Sequence, residues 1–303
     1  MPVRILAPTS ASLAEAARIL RSGGLVAFPT ETVYGLGANA LDPSAVERIF
    51  DAKGRPASNP LIVHVENEAA ARALARRWPE AASRLAAAHW PGPLTLVVEK
   101  TDAISDRVTA GGPTVALRVP AHPIALELLR ITGLPLAAPS ANRSEEISPT
   151  TAQHVADSLG PFVDDLIVLD GGPCSVGIES TVVDVTGDEP LVLRPGMLGL
   201  EARADTSCDG PARSPGQSIR HYAPRKPLLL VRADQQPLAA RASDGLLVLP
   251  ARPEAAAALL YAELRRLDAD MTIARILVIE PPAGPEWDAI RDRLTRAAAR
   301  SAD

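Results

Sequence analysis

The sequence predicts an α/β protein with a second, smaller α/β unit at its C-terminal end. Short apolar runs that are typical of buried strands alternate along the chain with stretches of helical periodicity. Several of these runs end abruptly in polar loops that contain Gly or Pro, the positions at which α/β proteins bind ligands. The periodicity disappears from Thr206 to Pro227 and returns after it, which indicates a linker between two units.

Composition narrows the class of protein. The 303 residues are enough for one large domain or two ordinary ones, and 47% hydrophobic residues support a real core. No apolar run is long enough to span a bilayer and no signal-peptide segment opens the chain, so we expect a cytoplasmic protein. Cys174 and Cys208 form no C-x-x-C pair, which argues against a zinc site or a disulfide framework. The net charge of −5 argues against a protein that coats nucleic acid through bulk electrostatics.

The first helix and strand lead into a polar loop. An amphipathic helix is predicted over Thr9–Ser22, with Ser12 and Glu15 at the spacing of a capping box. A buried strand follows from Leu25 to Phe28. The strand pattern then ends at Pro29-Thr30-Glu31-Thr32-Val33-Tyr34-Gly35-Leu36-Gly37, where two glycines allow the backbone to bend or to approach a ligand closely.

The next helix and strand enclose a basic loop. Asp42 and Pro43 are a typical N-cap and first helical residue, and this helix is predicted to end near Ala52. Before a strand that begins near Leu61 comes Lys53-Gly54-Arg55-Pro56-Ala57-Ser58-Asn59-Pro60. A loop fixed by these residues would hold two cations where they suit phosphate oxygens, although a solvated basic loop is the alternative. His64 in the following strand is by itself more often a core histidine than a ligand.

Two later strands each carry one arginine among apolar residues, Arg118 after Thr114 and Arg194 after Leu191. A buried charge must be paired or must face a cavity, so the partner is a carboxylate of the chain or a carboxylate of a ligand. The strand Leu134–Ala138 leads into Pro139-Ser140-Ala141-Asn142-Arg143-Ser144, and a new helix opens after Ser148. These hydroxyls, the amide and the helix N-terminus suit phosphate, although they could equally serve only as caps and turns.

Seven segments match a family pattern: the loop at 28–38, K-G-R-P-x-x-N-P-L-x-x-H at 53–64, W-P-G-P-L-T at 90–95, P-S-A-N-x-S…S-P-T at 139–150, G-x-x-S-T-V-x-D at 177–184, L-R-x-G at 193–196 and S-P-G…R-H-Y-A-P at 214–224. Together they resemble the YrdC/Sua5 family, the threonylcarbamoyl-AMP synthases, in its two-domain form. The chain departs from the pattern at Glu145-Glu146, where the family often has Gly, and at Gln217-Ser218-Ile219, where Met-Lys-Tyr is expected.

The resemblance implies a fold and a division of the chain. We expect a YrdC-like twisted mixed sheet with flanking helices around a cationic cleft in residues 1–205. A linker over the active site would span 206–227, and a small Rossmann-like C-terminal domain would span 228–303. The strand-like and helix-like segments after Pro227 themselves favour parallel strands.

The resemblance also implies a reaction. Family members convert L-threonine, bicarbonate and ATP, with Mg²⁺, into threonylcarbamoyl-AMP and pyrophosphate. A separate transferase then moves the threonylcarbamoyl group to adenosine 37 of tRNAs that read A-starting codons. The residues implied are Lys53 and Arg55 for catalysis, Thr32, His64, Arg118, Ala138 and Ser180 for threonine, and Arg55, Asn59, Thr114, Ser140, Asn142, Ser148, Arg194 and Tyr222 for ATP. No protein side chain can be singled out as a metal ligand.

Three other functions stay open at this stage. A double-stranded RNA-binding module is disfavoured by the acidic net charge and the lack of basic clusters. A carbamoyl transferase of hydrogenase maturation would carry zinc-finger cysteines and an acylphosphatase-like domain, and neither can be found in this sequence. A regulatory ATP sensor would bind the nucleotide without releasing pyrophosphate.

Overall fold

The computed structural model describes residues 3–200, 203–204, 221–232 and 243–299. Its strands are β1 (Arg4–Leu6), β2 (Val26–Phe28), β3 (Gly35–Asn39), β4 (Ile62–His64), β5 (Leu94–Glu99), β6 (Thr114–Arg118), β7 (Leu136–Ala137), β8 (Ile167–Leu169), β9 (Thr181–Asp184), β10 (Leu191–Arg194), β11 (Arg203–Ala204), β12 (Leu228–Val231), β13 (Asp244–Leu247) and β14 (Arg275–Ile279). Its α-helices are α1 (Ser10–Arg21), α2 (Pro43–Lys53), α3 (Glu68–Leu74), α4 (Glu80–His89), α5 (Asp106–Thr109), α6 (Pro123–Thr132), α7 (Ala152–Leu159), α8 (Pro253–Ala269) and α9 (Asp288–Ala298).

In the part of the chain that the structure describes, eleven strands form a mixed sheet in the order β1-β8-β2-β3-β7-β4-β6-β5-β9-β10-β11. Neighbours β4 and β6 are parallel, as are β5 and β9, whereas β7 runs antiparallel to β3 and β4. A second sheet has the order β12-β14-β13, and its strands are all parallel. The predicted mixed α/β architecture and the parallel C-terminal layer are therefore confirmed.

Aliphatic side chains fill the core, as the low aromatic content requires. One cluster covers one face of the large sheet with residues such as Leu36, Val63 and Leu117, and another packs α1 against α6. A third cluster joins the two units, because Val33, Ile147 and Ile178 pack with Leu260 of α8 and Ile290 of α9. The two sheets thus share one apolar interface.

Two details of the predicted elements are wrong. Thr9 rather than Ser12 caps α1, and the reciprocal capping box joins Thr9 to Ser12, so Glu15 has no part in it. Lys53 is the last residue of α2 rather than a loop residue, because Gly54 ends the helix in the left-handed conformation with φ +57°. The predicted linker lies mostly outside the described residues, and the boundaries 1–205, 206–227 and 228–303 stay a prediction.

Candidate active site

Polar ends of several strands meet in one buried cavity. Because β4 and β6 are parallel neighbours, His64 and Arg118 lie in register at their carboxyl ends. The loops after β2 and β7, the start of β9 and the end of β10 reach the same place. The lining residues are Thr30, Thr32, Val33, Gly35, Arg55, Ile62, His64, Arg118, Ala138, Pro139, Ser140, Glu179, Ser180, Arg194, His221 and Tyr222.

Arg118 has a carboxylate partner in its own chain. Its Nη2 lies 2.6 Å from Oε1 of Glu31, in an ion pair whose side chains are 4% and 9% exposed. Its Nη1 donates to Oγ1 of Thr32 at 2.9 Å, and its Nε donates to the carbonyl of Gly92 at 3.2 Å. The alternative left open by the sequence, an intramolecular partner, is therefore present. The Nε and Nη1 hydrogen bonds use two of the five guanidinium N–H groups, and Nη2 has no hydrogen-bond partner among the described residues, so a ligand carboxylate could still bind the N–H groups that remain.

His64 is a neutral imidazole beside this pair. Burial and the neighbouring charge of Arg118 lower the pKa of His64 well below its usual range. Its Nδ1 is buried and has no hydrogen-bond partner among the described residues. A neutral ring with an unpaired nitrogen at the cavity wall can contact a polar ligand atom, which goes beyond the role of a core histidine.

Among the described residues, the side chain of Arg55 donates to carbonyl oxygens and forms no ion pair. Nε and Nη2 donate to the carbonyls of Asn59 and Pro60, at 3.1 and 2.8 Å. Burial lowers the pKa of Arg55 to about 10, which still leaves it charged at neutral pH. Asn59 does not line the cavity, and its backbone serves to hold Arg55 in place.

Arg194 is a further cation in the cavity wall. It donates to the carbonyl and to Oγ of Ser180, at 3.0 and 3.1 Å. The Ser180 hydroxyl in turn lies 2.7 Å from Oγ1 of Thr95. These contacts fix Ser180 at the start of β9, so a hydroxyl and a cation face the cavity side by side.

Lys53 lies behind the cavity instead of in its wall. Its side chain is buried, and Nζ donates to the carbonyl of Ser140 at 2.6 Å and to the carbonyl of Asn142. Burial, together with the charge of Arg55, lowers the pKa of Lys53 well below its usual range. The amide of Asn142 donates to the carbonyls of Arg143 and Glu146 at 2.8 and 2.9 Å. Lys53 and Asn142 thus shape the loop that presents Ser140.

The two glutamates of this loop do not line the cavity. Glu145 has φ +68°, a conformation that favours glycine and that accounts for the glycine expected by resemblance. Its carbonyl accepts the backbone N–H of Ala223 at 2.8 Å. The Glu146 carboxylate accepts the hydroxyl of Ser158 at 2.6 Å. The departure from the family pattern at Glu145-Glu146 therefore places no carboxylate of Glu146 in the cavity wall.

Glu179 is a site residue that the sequence reasoning missed. Its Oε1 accepts the hydroxyl of Ser148 at 2.6 Å, and its Oε2 accepts Nε of Arg293 at 2.8 Å and the hydroxyl of Tyr261 at 2.9 Å. Burial would raise the pKa of Glu179, but the cations Arg293 and Arg194 and these hydrogen bonds hold it at about 2. The signal that could have identified Glu179 is its position, since it is a charged residue just before the apolar strand β9.

His221 and Tyr222 close the cavity from the predicted linker. Tyr222 is 1% exposed, has φ +60° and has no hydrogen-bond partner for its hydroxyl among the described residues. Its ring stacks on Tyr261 with centroids 5.8 Å apart. Burial lowers the pKa of His221 to about 3, so this imidazole is neutral.

The predicted site residues therefore fall into two groups. The cavity wall contains Thr32, Arg55, His64, Arg118, Ala138, Ser140, Ser180, Arg194 and Tyr222, whereas Lys53, Asn59, Thr114, Asn142 and Ser148 lie outside it. Thr114 is at the opposite end of β6 from Arg118, roughly 13 Å away at 3.3 Å per residue. Ser148 is fully buried behind Glu179.

Comparison with known proteins identifies the family. The profile named Sua5_yciO_yrdC, described as telomere recombination, matches residues 18–196, and a profile described as the C-terminal domain of threonylcarbamoyl-AMP synthase matches residues 191–299. The chain belongs to the Sua5/YciO/YrdC family. In this Sua5-type member, both the large unit and the C-terminal unit thus have family counterparts.

Individual relatives agree with this membership. The threonylcarbamoyl-AMP synthase of Pyrococcus abyssi is 49% identical over 71% of this chain and 66% of its own length. That of Bacillus subtilis is 46% identical over 74% of this chain and 68% of its own length. The chain thus spans about two thirds of these curated relatives.

Solved structures extend the likeness to the fold. P. abyssi Sua5 complexed with L-threonine superposes with a TM-score of 0.91 at 38% identity, over 98% of each chain. Escherichia coli YciO superposes with a TM-score of 0.57 at 27% identity, over 66% of this chain and 97% of its own. The match to Sua5 therefore includes the C-terminal unit.

None of the helices in residues 3–200, 221–232 and 243–299 has the length and apolarity needed to cross a membrane. Over the same part of the chain, no group of three or more His, Cys, Asp or Glu side chains could hold a metal ion.

Proposed function

We propose that the chain is an L-threonylcarbamoyladenylate synthase, a nucleotidyltransferase that makes threonylcarbamoyl-AMP and pyrophosphate from L-threonine, bicarbonate and ATP. The observation that carries this proposal is the meeting of Arg55, Arg118 and Arg194 in one buried cavity, beside the hydroxyls of Thr32 and Ser180. Such a site suits a carboxylate and phosphates and works by positioning and charge stabilisation. The likeness to a Sua5 complexed with L-threonine supports it.

The amino acid would bind at the end of the cavity where β4 and β6 finish. Arg118 would hold the threonine carboxylate through N–H groups that the Thr32 and Gly92 hydrogen bonds leave over, in a charge-assisted pair. Thr32, neutral His64 and Ser180 would surround the polar atoms of the amino acid, and Ala138 would contact its carbon atoms. Glu31 would keep Arg118 oriented by the 2.6 Å ion pair.

The nucleotide would bind next to the amino acid, along the part of the wall that contains Arg55 and Arg194. Arg55 and Arg194 would stabilise charge on the α-phosphate, with Ser140 and Tyr222 beside it. Lys53, Asn59, Asn142 and Ser148 would act through the backbone and side chains that they hold, because they lie behind the wall. The catalytic role predicted for Lys53 thus becomes a positioning role in this proposal, and a contact of Thr114 with ATP would require a nucleotide that reaches the far end of β6.

The reaction would be an in-line displacement. The carbamate oxygen of N-carboxythreonine would attack the α-phosphorus, and pyrophosphate would leave with the Mg²⁺ that arrives bound to ATP. We further propose that the product passes in the cytoplasm to a transferase that acts on tRNA, so that tRNA is an indirect partner.

Pyrophosphate release from ATP and bicarbonate, with and without L-threonine, tests the function. We expect release to depend on threonine and to fall about 10²–10³-fold in Arg55→Gln, because this removes a cation aimed at developing charge. Arg107→Gln is the matched control, since Arg107 is a surface residue paired with Glu47. Folded protein that releases no pyrophosphate, or releases it without threonine, would defeat the proposal and favour the ATP-sensor or RNA-binding alternative.

A further inference from the structure

A buried arginine of the C-terminal unit reaches the active-site wall. Arg293 on α9 heads the largest fully buried side chains among the described residues. Its Nε donates to Oε2 of Glu179 at 2.8 Å, and its Nη1 donates to Asp292 at 2.7 Å. Its Nη2 is buried and has no hydrogen-bond partner in that part of the chain. A cation is therefore buried between the two units, in contact with a residue that lines the cavity.

Tyr261 on α8 converges on the same carboxylate. Its hydroxyl donates to Oε2 of Glu179 at 2.9 Å, and its ring stacks on Tyr222. The Arg293 guanidinium lies 5.2 Å from the centroid of the Tyr222 ring, within the range of a cation–π contact. Tyr261 and Arg293 thus each contact both Glu179 and Tyr222.

We propose that Arg293 and Tyr261 are positioning residues for the reaction, which hold the Glu179 carboxylate and the Tyr222 ring in the cavity wall. This inference rests on the function proposed above. Through Glu179 they also act on Ser148 and on Arg194, whose charge Glu179 balances from the same wall. The cavity is then complete only when the C-terminal unit is docked.

Structural stabilisation alone does not account for this arrangement. Burying an ion pair at an interface is often no better for stability than apolar packing, because both charges lose their hydration. An apolar cluster already joins the units around Leu260 and Ile290. The pair does hold a negative charge and an aromatic ring in fixed positions beside the arginines that are proposed to bind the nucleotide, which apolar packing could not do.

Steady-state pyrophosphate release in Arg293→Gln is the direct test, with Arg291→Gln as the matched control. Arg291 is on the same helix but is exposed and paired with Asp288. We expect Arg293→Gln to lower kcat/KM for ATP about a hundredfold, the order of loss from a small misplacement in a site. Arg291→Gln is expected to match the unchanged chain. The effect of Arg293→Gln should also shrink markedly in a Glu179→Gln background, because the two residues act as one unit.

The pH profile separates positioning from general destabilisation. The charged and titratable groups that face Glu179 are Arg293, Tyr261, Arg194, Tyr222 and His221. Without Arg293 the buried carboxyl loses its main cation, so its pKa rises. Arg293→Gln should therefore lose activity progressively from pH 7 to pH 5 relative to the unchanged chain. An unchanged profile with an unchanged KM for ATP would overturn the inference.

A milder variant and a second readout cover the remaining outcomes. If Arg293→Gln does not fold, Tyr261→Phe tests the inference instead, because it removes only the hydroxyl hydrogen bond and keeps the stacked ring. We expect kcat/KM for ATP to fall about tenfold in Tyr261→Phe. Calorimetric ATP binding tests the positioning without turnover, and affinity should weaken in Tyr261→Phe and not in Arg291→Gln. Equal affinities would overturn the inference. An unchanged chain that binds ATP but releases no pyrophosphate would defeat the proposed function alone.

Discussion

Arg118 is already balanced by a carboxylate of its own chain, and this complicates the obvious mutation. The Arg118→Ala variant leaves the carboxylate of Glu31 buried without its cation. Breaking a buried pair by removing one partner costs about 3–5 kcal/mol. We expect urea denaturation to show a loss of this order in Arg118→Ala, together with loss of threonine-dependent turnover.

The double variant Glu31→Gln with Arg118→Ala separates the two effects. The amide of Gln can still accept the backbone N–H of Ala121, which Glu31 holds at 3.0 Å. Stability should be largely regained, because no unpaired charge remains buried, but turnover should stay lost. Recovery of turnover in the double variant would show that Arg118 does not hold the threonine carboxylate.

Two buried histidines make the folded chain sensitive to acid. Burial lowers the pKa of His221 to about 3 and that of His64 well below its usual range. In the unfolded chain both titrate near 6.5. Between about pH 6.5 and pH 5 the unfolded chain therefore binds more protons than the folded chain. The free energy of unfolding should decrease as the pH is lowered, by up to about 1.4 kcal/mol per pH unit for each histidine.

Urea denaturation at a series of pH values measures this slope. The variant His221→Gln should reduce it by the share of one histidine, whatever its effect on stability at pH 7. A free energy of unfolding that stays level from pH 7 to pH 5 would contradict the assignment of neutral, buried imidazoles.

At the residue scale, sequence reasoning identified charges more readily than their partners. Arg118 and Arg194 were predictable because a lone cation in an apolar strand must be paired or face a cavity. The partner Glu31 was not, since 87 positions separate the two and nothing local connects them. Glu179 was missed for the same reason, because its partners Tyr261 and Arg293 come from the C-terminal unit.

At the element scale, α8 approaches the loop before β9 so closely that only glycine fits. A Cβ at Gly177 would lie 2.4 Å from the carbonyl oxygen of Ala257 and 2.5 Å from Cα of Ala258. Gly177→Ala should therefore push α8 away and disturb the contact of Tyr261 with Glu179. Gly172 is a matched control, because its φ of +75° is similar to the +81° of Gly177, but a Cβ there meets nothing within 4 Å.

Both alanine variants incur the cost of a left-handed backbone, about 1–2 kcal/mol. Gly177→Ala should lose about 1–3 kcal/mol more from the steric clash, and should lose turnover as well. Thermal unfolding and pyrophosphate release on the pair measure both quantities. Equal losses in the two variants would mean that the contact with α8 matters neither for stability nor for the site.

The helices and strands were largely predictable from the sequence, but their arrangement in the sheet was not. Hydrophobic periodicity and caps such as Asp42 with Pro43 located the helices and strands within a few residues. The order of the large sheet brings the ends of β4, β6 and β10 together, and this order depends on long-range pairing that no local pattern encodes. Lys53 shows the consequence. It is the last residue of α2 instead of a loop residue, and its ammonium group, which was expected to contact phosphate, donates to loop carbonyls.

At the scale of the whole molecule, the two units are expected to unfold as one. Inter-domain contacts usually permit independent behaviour unless the interface is large and apolar. Here Val33, Ile147 and Ile178 pack into the C-terminal core, and the Glu179–Arg293 ion pair is buried at the same interface. Calorimetry should give a single transition with equal calorimetric and van't Hoff enthalpies, the test of two-state unfolding.

The ion pair makes this expectation specific. In Arg293→Gln the interface keeps its apolar contacts, but the buried carboxylate of Glu179 loses its ion-pair partner. Undocking of the C-terminal unit would relieve that burial, because it gives Glu179 access to water. The single transition should then broaden or split, with the C-terminal unit unfolding at the lower temperature. Two resolved transitions in the unchanged chain would instead mean that the C-terminal unit docks only weakly. An active-site wall that depends on Arg293 and Tyr261 would then be complete in only a fraction of the molecules. Because ATP would bind the docked form more tightly, adding ATP should raise that fraction and with it the turnover.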